Sequence, residues 1–286
     1  MRGRELTAVV ACCLVIACSD GARGTSASAV VQNTNATSQR AKAPTDRAII
    51  GVDTAMRTLA SAVRGDRYRV DSTVAASGAI HVQVSSAAPL PADTVINPDR
   101  DETKCKPFVD ATFPPHRGHT NNEVGNAVAW LVGVGAGPRD EAPRRVNLRL
   151  EKCQLQPRVQ RVPVGATIIV NNRDASSSDL RFGFAGQSAA QATLHFTESG
   201  QVVPSTEALA KAGLLEIRDV RHPWLRSYIA VAPHPFVAVT GANGQIAWDG
   251  VPGGSYQLVV WHERLGSRVI PVVVKPGETL DVRVLY

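Results

Sequence analysis

The feature that most constrains the fold is a series of short β-branched runs separated by Gly, Pro and Asn. Runs of this length between turn residues are typical of strands, and many short strands favour a β-sandwich. The clearest runs are 80–84, 127–132, 146–150, 167–170 and 227–231. The sequence therefore predicts a mainly β fold.

A second, smaller β unit is predicted near the C-terminus. The segments 237–240 and 245–248 flank Asn243-Gly244, a dipeptide that favours a hairpin because both positions tolerate positive φ. Further strand-like segments follow at 256–261, 268–274 and 280–285. A unit of this size buries little surface alone, so we expect it to share core with its neighbour.

Two segments without strand character precede the β region. Residues 18–45 are rich in Ala, Ser, Thr, Asn and Gln and cannot bury enough apolar surface to offset ordering entropy, so they predict a flexible tether. Residues 46–65 carry apolar side chains at steps of three and four, which predicts an amphipathic helix packed on the next domain. The apolar positions are Ile49, Val52, Met56, Leu59 and Val63.

The first 17 residues have the order of a secretory signal peptide. Arg2 and Arg4 precede an apolar stretch that is too short to span a bilayer as a settled helix. Cys18 follows the small residue Ala17, which resembles the lipobox of bacterial lipoproteins. The resemblance implies cleavage after residue 17, lipidation of Cys18 and stable attachment to the cell envelope. We expect an outer-membrane position facing the periplasm or surface, with the inner membrane as the alternative.

Cys105 and Cys153 remain once the signal peptide and the lipidated cysteine are set aside. Two cysteines in an oxidising compartment favour one disulfide, and two separately buried thiols are the alternative. No CxxC pair, nucleophile elbow, phosphate-binding loop or HExxH motif is present. The formal net charge of +6 is spread along the chain rather than clustered, which does not favour nucleic-acid binding. We therefore expect neither an enzyme nor a cofactor.

Several motifs resemble a family of bacterial envelope proteins. Those proteins join a cupredoxin-like domain, the fold of plastocyanin and azurin, to a carboxypeptidase regulatory-like (transthyretin-like) module. The motifs are Asn172-Arg173-Asp174, residues 222–231, His234-Pro235-Phe236 and residues 261–266. The resemblance covers roughly residues 75–286 and implies a cupredoxin-like β-sandwich at 75–232 and a transthyretin-like β-sandwich at 233–286.

Copper-binding members of that family hold the metal with a His four residues after the Asp of an N-x-D segment and with a C-x-x-H-x-x-M run. A thiolate, imidazoles and a weak axial thioether suit copper. In this chain those positions hold Ser178, Asp219, His222 and Leu225. The resemblance therefore implies a degenerate, metal-free site, with His222 as a structural residue beside Trp224.

These features together predict a non-catalytic envelope lipoprotein that serves as a binding or scaffolding module. An envelope protein or glycan is the expected partner besides the membrane. Trp224, Trp261 and His262 are candidate ligand-facing residues, because exposed aromatic rings stack on sugars, whereas buried rings are simply core. The alternative is a metal-binding or electron-transfer protein that uses Asp219, His222 and a further ligand.

Overall fold

The computed structural model describes residues 48–50, 52–65, 67–71, 76–88, 105, 122–205, 209–222 and 224–286. This part of the chain is mainly β, as the sequence predicts, and contains one α-helix. The predicted signal peptide, the predicted lipidation site Cys18 and the predicted tether 18–45 lie outside the described residues. Within the described ranges, no helix has the length and apolar character needed to cross a bilayer.

The strands and the helix are numbered in chain order. The N-terminal elements are β1 (Ala48–Ile50), α1 (Val52–Ala60), β2 (Arg69–Val70), β3 (Ser77–Ser85), β4 (Val128–Val132) and β5 (Ala136–Gly137). The middle elements are β6 (Arg145–Glu151), β7 (Gln154–Gln156), β8 (Val159–Pro163), β9 (Thr167–Asn172), β10 (Ser178–Phe184), β11 (Ala190–Phe196), β12 (Val202–Ser205), β13 (Gly213–Asp219) and β14 (Arg226–Ala232). The C-terminal elements are β15 (Val237–Val239), β16 (Gln245–Pro252), β17 (Gly254–His262), β18 (Gly266–Val274) and β19 (Thr279–Leu285).

Two sheets made from the middle elements form the first sandwich. Their strand orders are β11-β10-β13-β14-β8 and β12-β9-β6-β7. Side chains alternate between the two faces of a strand, so every second residue of β6 and β9 is buried, including Leu148 and Ile168. These side chains pack with Leu180, Phe182 and Ile217 from the other sheet in one apolar cluster, which is the first core.

The second sandwich combines strands from both ends of the described chain. One sheet has the order β1-β18-β17-β4-β15, and the other has the order β16-β3-β19. β3 runs parallel to β19 and antiparallel to β16, while β4 lies between β17 and β15. Their inward side chains form the second core, which includes Ile80, Leu131, Leu258 and Val284.

This pairing differs from the domain boundary predicted between residues 232 and 233. The sequence predicts strands β3 and β4 in the first domain, whereas both belong to sheets of the second sandwich. Their β-branched composition resembles that of the first sandwich, and strand propensity does not specify which strand becomes the partner. The second sandwich is consequently larger than the predicted 233–286 module.

A third apolar cluster joins the two sandwiches and the helix. In β14, Ile229 and Val231 belong to the first core, while Tyr228 and Ala230 belong to the cluster shared with Val259 of β17. A strand buried on both faces needs a continuous apolar run. The uninterrupted runs in β14, β4 and β17 therefore mark inner layers, and the sandwiches form part of one compact unit.

The amphipathic segment predicted at 46–65 divides into a strand and a shorter helix. Residues Ala48–Ile50 pair with β18, and the helix covers Val52–Ala60. Ala55 and Leu59 belong to the shared cluster, so this side of the helix packs against the sandwiches. The helix is shorter than predicted because the preceding residues add a strand to a sheet edge, where their backbone groups find partners.

Candidate functional site

The four residues at the copper-ligand positions gather at one end of the first sandwich. Ser178 begins β10, Asp219 ends β13, and His222 and Leu225 lie in the loop that leads to β14. Asp219 is opposite Leu180 in the register of β10 and β13, so it shares a sheet face with Ser178 two residues earlier. All four side chains are buried.

The Asp219 carboxylate accepts hydrogen bonds from three backbone N–H groups. Oδ2 accepts from Asp179 at 3.1 Å, and Oδ1 accepts from Arg221 at 2.6 Å and from His222 at 2.8 Å. Oδ1 also lies 3.2 Å from Nδ1 of the His222 ring. Oδ1 therefore has close contacts with three nitrogen atoms and Oδ2 with one, so most of the acceptor capacity of the carboxylate faces donors of the protein.

These contacts decide the protonation state of Asp219. Burial by itself raises the pKa of this carboxyl, but hydrogen bonds from the His222 ring and from the backbone of His222 and Arg221 act in the opposite direction. The net result is that the pKa of Asp219 lies below its ordinary value. Asp219 is therefore a buried carboxylate anion at neutral pH.

The loop after β13 is closed by further backbone and ring contacts. The Asp219 N–H donates to the Leu225 carbonyl at 3.2 Å, and the Leu225 N–H donates to the His222 carbonyl at 2.9 Å. The His222 ring packs edge-to-face against Trp224, with ring centroids 5.1 Å apart. The loop is thus organised around the Asp219 carboxylate, as side-chain acceptors commonly organise turns.

This donor set does not fit a blue copper centre. Copper of that type requires a thiolate, two imidazoles and a weak axial ligand. Here Asp219 replaces the thiolate, Ser178 replaces one imidazole and Leu225 offers no donor atom. Within the described part of the chain, no group of three or more His, Cys, Asp or Glu side chains is placed to hold a metal ion.

A polar network covers the solvent side of the same loop. Asp179 lies 2.8 Å from Nδ1 of His195 and accepts a hydrogen bond from Arg221 Nε at 3.0 Å. Arg221 also donates from Nη1 to Ser177 Oγ at 2.6 Å. The hydrogen bond with His195 is the main reason that the pKa of Asp179 lies below its ordinary value. The network ties β10, β11 and the loop together at the surface.

The Asn172-Arg173-Asp174 motif supports the disulfide. The Asp174 carboxylate accepts hydrogen bonds from the N–H groups of Lys152 at 2.7 Å and Cys153 at 2.8 Å. Lys152 and Cys153 both have positive φ, at 55° and 54°, a conformation that costs energy for residues with a Cβ. Cys153 is bonded to Cys105 with Cα atoms 5.5 Å apart, so the structure contains the predicted pairing.

One ion pair connects the sandwiches, and a second joins the first sandwich to the segment between β5 and β6. Arg158, which precedes β8, donates two hydrogen bonds to the carboxylate of Glu263 in the β17–β18 turn, at 2.9 and 2.6 Å. Arg161 of β8 forms a two-point contact with Asp140 and also donates to the His234 carbonyl at 3.2 Å. Paired arginine–carboxylate contacts of this kind fix orientation as well as contributing energy.

The predicted ligand-facing residues lie in the interior instead. Trp224 is 9% exposed, Trp261 is 3% exposed and His262 is fully buried. Trp261 packs edge-to-face against Tyr228 in the shared cluster, with ring centroids 5.0 Å apart. These side chains contribute to packing between strands, so they do not offer a ring face to a ligand, and the prediction of a ligand surface at these positions is corrected.

The fold and the site define a mainly β protein of two β-sandwiches with a carboxylate-centred loop at one end. No family model matches the chain, and no curated protein matches its sequence.

Part of the chain is similar to solved structures of amicyanin. A copper(I) form of an amicyanin variant is 22% identical, covers 32% of this chain and 84% of its own length, and has a TM-score of 0.26. Amicyanin from Paracoccus versutus is 19% identical, with 32% and 85% coverage and the same TM-score of 0.26.

Proposed function

We propose that this chain is a non-catalytic envelope lipoprotein whose stacked β-sandwiches act as a binding or scaffolding module. In this proposal the first sandwich is a cupredoxin-like domain in which a structural carboxylate stands where a metal ligand would be. The observation that carries the proposal is the use of the Asp219 acceptor positions by three backbone N–H groups and the His222 ring. A group committed in this way shapes a loop and is poorly placed to bind a metal.

The contacts between the sandwiches support a scaffolding role. A shared apolar cluster and the ion pair Arg158–Glu263 hold the two sandwiches together. Burying each large apolar side chain in such a cluster contributes about 1.5–3 kcal/mol. A body joined in this way presents its surfaces at fixed spacing, which suits a protein that holds partners in place.

Copper addition tests the metal-free part of the proposal. We expect purified protein to show no intense visible band with Cu²⁺, because that band requires a bonded thiolate, and to gain little protection against thermal unfolding. His222→Ala should lower stability by loss of packing against Trp224 without changing metal binding. A stoichiometric copper or zinc complex that His222→Ala abolishes would favour the metal-binding alternative.

Cell fractionation tests the lipoprotein part. The proposal rests here on the apolar segment that ends at Ala17-Cys18. We expect Cys18→Ala to release the protein from membranes or to leave it unprocessed, whereas Cys13→Ala, which changes a cysteine inside the proposed signal, should remain membrane-bound. Equal fractionation and processing of the wild type and Cys18→Ala would contradict lipid attachment.

A further inference from the structure

Two neighbouring cavities lie beside the C-terminal end of α1. The larger has a volume of about 910 Å³ and is lined partly by Tyr68, Arg139 and Arg144. The smaller has a volume of about 530 Å³ and is lined partly by Phe184 and Lys211. Ala60 and Ala212 border both cavities. Sites for ligands occur preferentially in such clefts between packed bodies.

Cationic side chains outnumber carboxylates in the described lining of both cavities. Arg67, Arg139 and Arg144 line the larger cavity, and Arg57 and Lys211 line the smaller one. All five residues are exposed, and none has an ion-pair partner among the described residues. The larger cavity also has two lining carboxylates, Asp140 and Glu141, but the ion pair with Arg161 already neutralises Asp140. The described lining therefore has an excess of positive charge, which favours an anionic ligand.

Each cavity also has one partly exposed aromatic ring that is held against a glycine. The Tyr68 hydroxyl donates a hydrogen bond to the Pro138 carbonyl at 2.8 Å. At Gly137, where φ is 155°, a Cβ would lie 2.7 Å from the hydroxyl oxygen of Tyr68. A Cβ at Gly213, where φ is 149°, would lie 2.6 Å from Cε1 of Phe184. Larger residues at these glycines would displace the rings, so the backbone fixes both ring positions.

We propose that the two cavities form one binding site for an acidic oligosaccharide that carries carboxylate or phosphate groups on successive sugars. Aromatic rings pack on the apolar faces of sugar rings, and guanidinium groups pair with carboxylates and phosphates. The same combination, one ring and at least two cations, occurs in both cavities. A repeated arrangement suits a ligand with a repeated unit.

The lining favours a sugar chain over an acidic protein segment. Protein partners usually anchor large apolar side chains in deep apolar pockets. Here much of the remaining surface consists of small side chains such as Ala60, Ala142 and Ala212. This inference adds a ligand class to the binding module proposed above and rests on that proposal.

Calorimetry on the purified full-length protein in detergent tests the site. The probes are hexagalacturonate and a phosphorylated mannose oligomer, with maltohexaose as the neutral sugar and hexaglutamate as the anionic peptide. We expect binding of at least one acidic sugar, with the neutral sugar and the peptide weaker by about tenfold or more. The better of the two acidic sugars identifies the anionic group that the site prefers.

Matched variants locate the site. Arg139→Gln combined with Arg144→Gln should weaken binding by about tenfold or more, because each charge-assisted contact contributes substantially to affinity. Tyr68→Leu should weaken binding of the sugar without changing the charge. The control, Arg149→Gln with Arg181→Gln, removes the same charge from exposed positions that do not line either cavity, and it should change affinity by less than about twofold.

Three results would overturn the inference. They are no binding of either acidic sugar, equal weakening by the cleft and control pairs, and binding of hexaglutamate as tight as that of the sugars. Membrane fractionation of the cells that produce the protein separates this outcome from the broader proposal, because a protein that is membrane-bound in cells but does not bind acidic sugars contradicts only the ligand assignment.

Discussion

Two buried carboxylates, Asp219 at the end of the first sandwich and Glu263 at the junction of the sandwiches, are stabilised in different ways. Asp219 accepts hydrogen bonds from the backbone N–H groups of Arg221 and His222 in its own loop and of Asp179 on the neighbouring strand β10. Glu263 accepts two from the guanidinium group of Arg158, a residue 105 positions away. The first arrangement shapes a local loop, and the second joins two bodies. A side-chain substitution at Arg221 or His222 leaves the backbone N–H group in place, whereas a substitution at Arg158 removes the guanidinium group. The two sites should therefore respond differently to mutation.

The largest effect is expected at the junction. Arg158→Ala removes the guanidinium group from the buried Glu263 carboxylate, which should lower the free energy of unfolding by about 3–5 kcal/mol. The double variant Arg158→Met, Glu263→Leu should recover most of that loss, because a well-packed apolar pair can replace a buried ion pair. Urea unfolding measures both. A change below about 0.5 kcal/mol for Arg158→Ala would show that this ion pair does not hold the sandwiches together.

A smaller effect is expected at the end loop. Asp219→Ala removes the acceptor for three N–H groups, and we expect a loss of about 2–3 kcal/mol because water can partly replace it at the end of a sandwich. Asp219→Asn keeps one acceptor oxygen and should cost less than Asp219→Ala. Equal losses for the two variants in urea unfolding would show that the acceptor oxygen is not what holds the loop.

The pH dependence sharpens the same test. Because folding lowers the pKa of Asp219, its carboxylate contributes stability above the unfolded carboxyl pKa, near 3.9. That contribution is lost as pH falls through the lower folded value. The difference in unfolding free energy between wild type and Asp219→Asn should therefore be constant above about pH 5 and shrink in stronger acid. A difference that does not shrink would show that Asp219 is not charged in the fold.

The smallest effect is expected at the exposed pair of Asp179 and His195. The His195 side chain is 71% exposed, and solvent-exposed ion pairs contribute about 0–1 kcal/mol. His195→Ala should therefore change the free energy of unfolding by less than about 1 kcal/mol, and added salt should reduce the difference further. A loss as large as that of Asp219→Ala would mean that the surface network, rather than the buried carboxylate, holds the loop.

The sequence predicts where the strands with continuous apolar runs lie, but it does not predict which strands pair with one another. The runs in β4 and β14 are read as strands because inner layers need apolar residues on both faces. The pairing partners of β3 could not be predicted from the sequence, because the residues of a strand do not specify which other strand lies beside it. The burial of Trp261 could not be predicted either. An aromatic residue in a strand is compatible with a core or with a binding face, and the choice depends on which layer packs against that strand.

The candidate site shows the same division. A motif comparison brings Ser178, Asp219 and His222 to attention, and the structure brings them to one end of the sandwich. No short sequence motif predicts the role of the Asp219 carboxylate. That role depends on the direction in which the backbone N–H groups of Arg221 and His222 point in the folded loop. Tyr68 and Phe184 carry no sequence signal for binding either, since what singles them out is a cavity between elements distant in sequence.

The parallel pairing of β3 with β19 sets an order of events during synthesis. The ribosome completes β3 long before β19, so one sheet of the second sandwich cannot close until β19 has been made. Pairing over such a sequence distance pays a large loop-closure entropy and is intrinsically slow. During that interval β3 remains an unsatisfied strand edge, open to pairing with other chains. A chain that stops short of β19 would therefore lack half of the hydrogen-bond partners of β3, however well its first sandwich had formed.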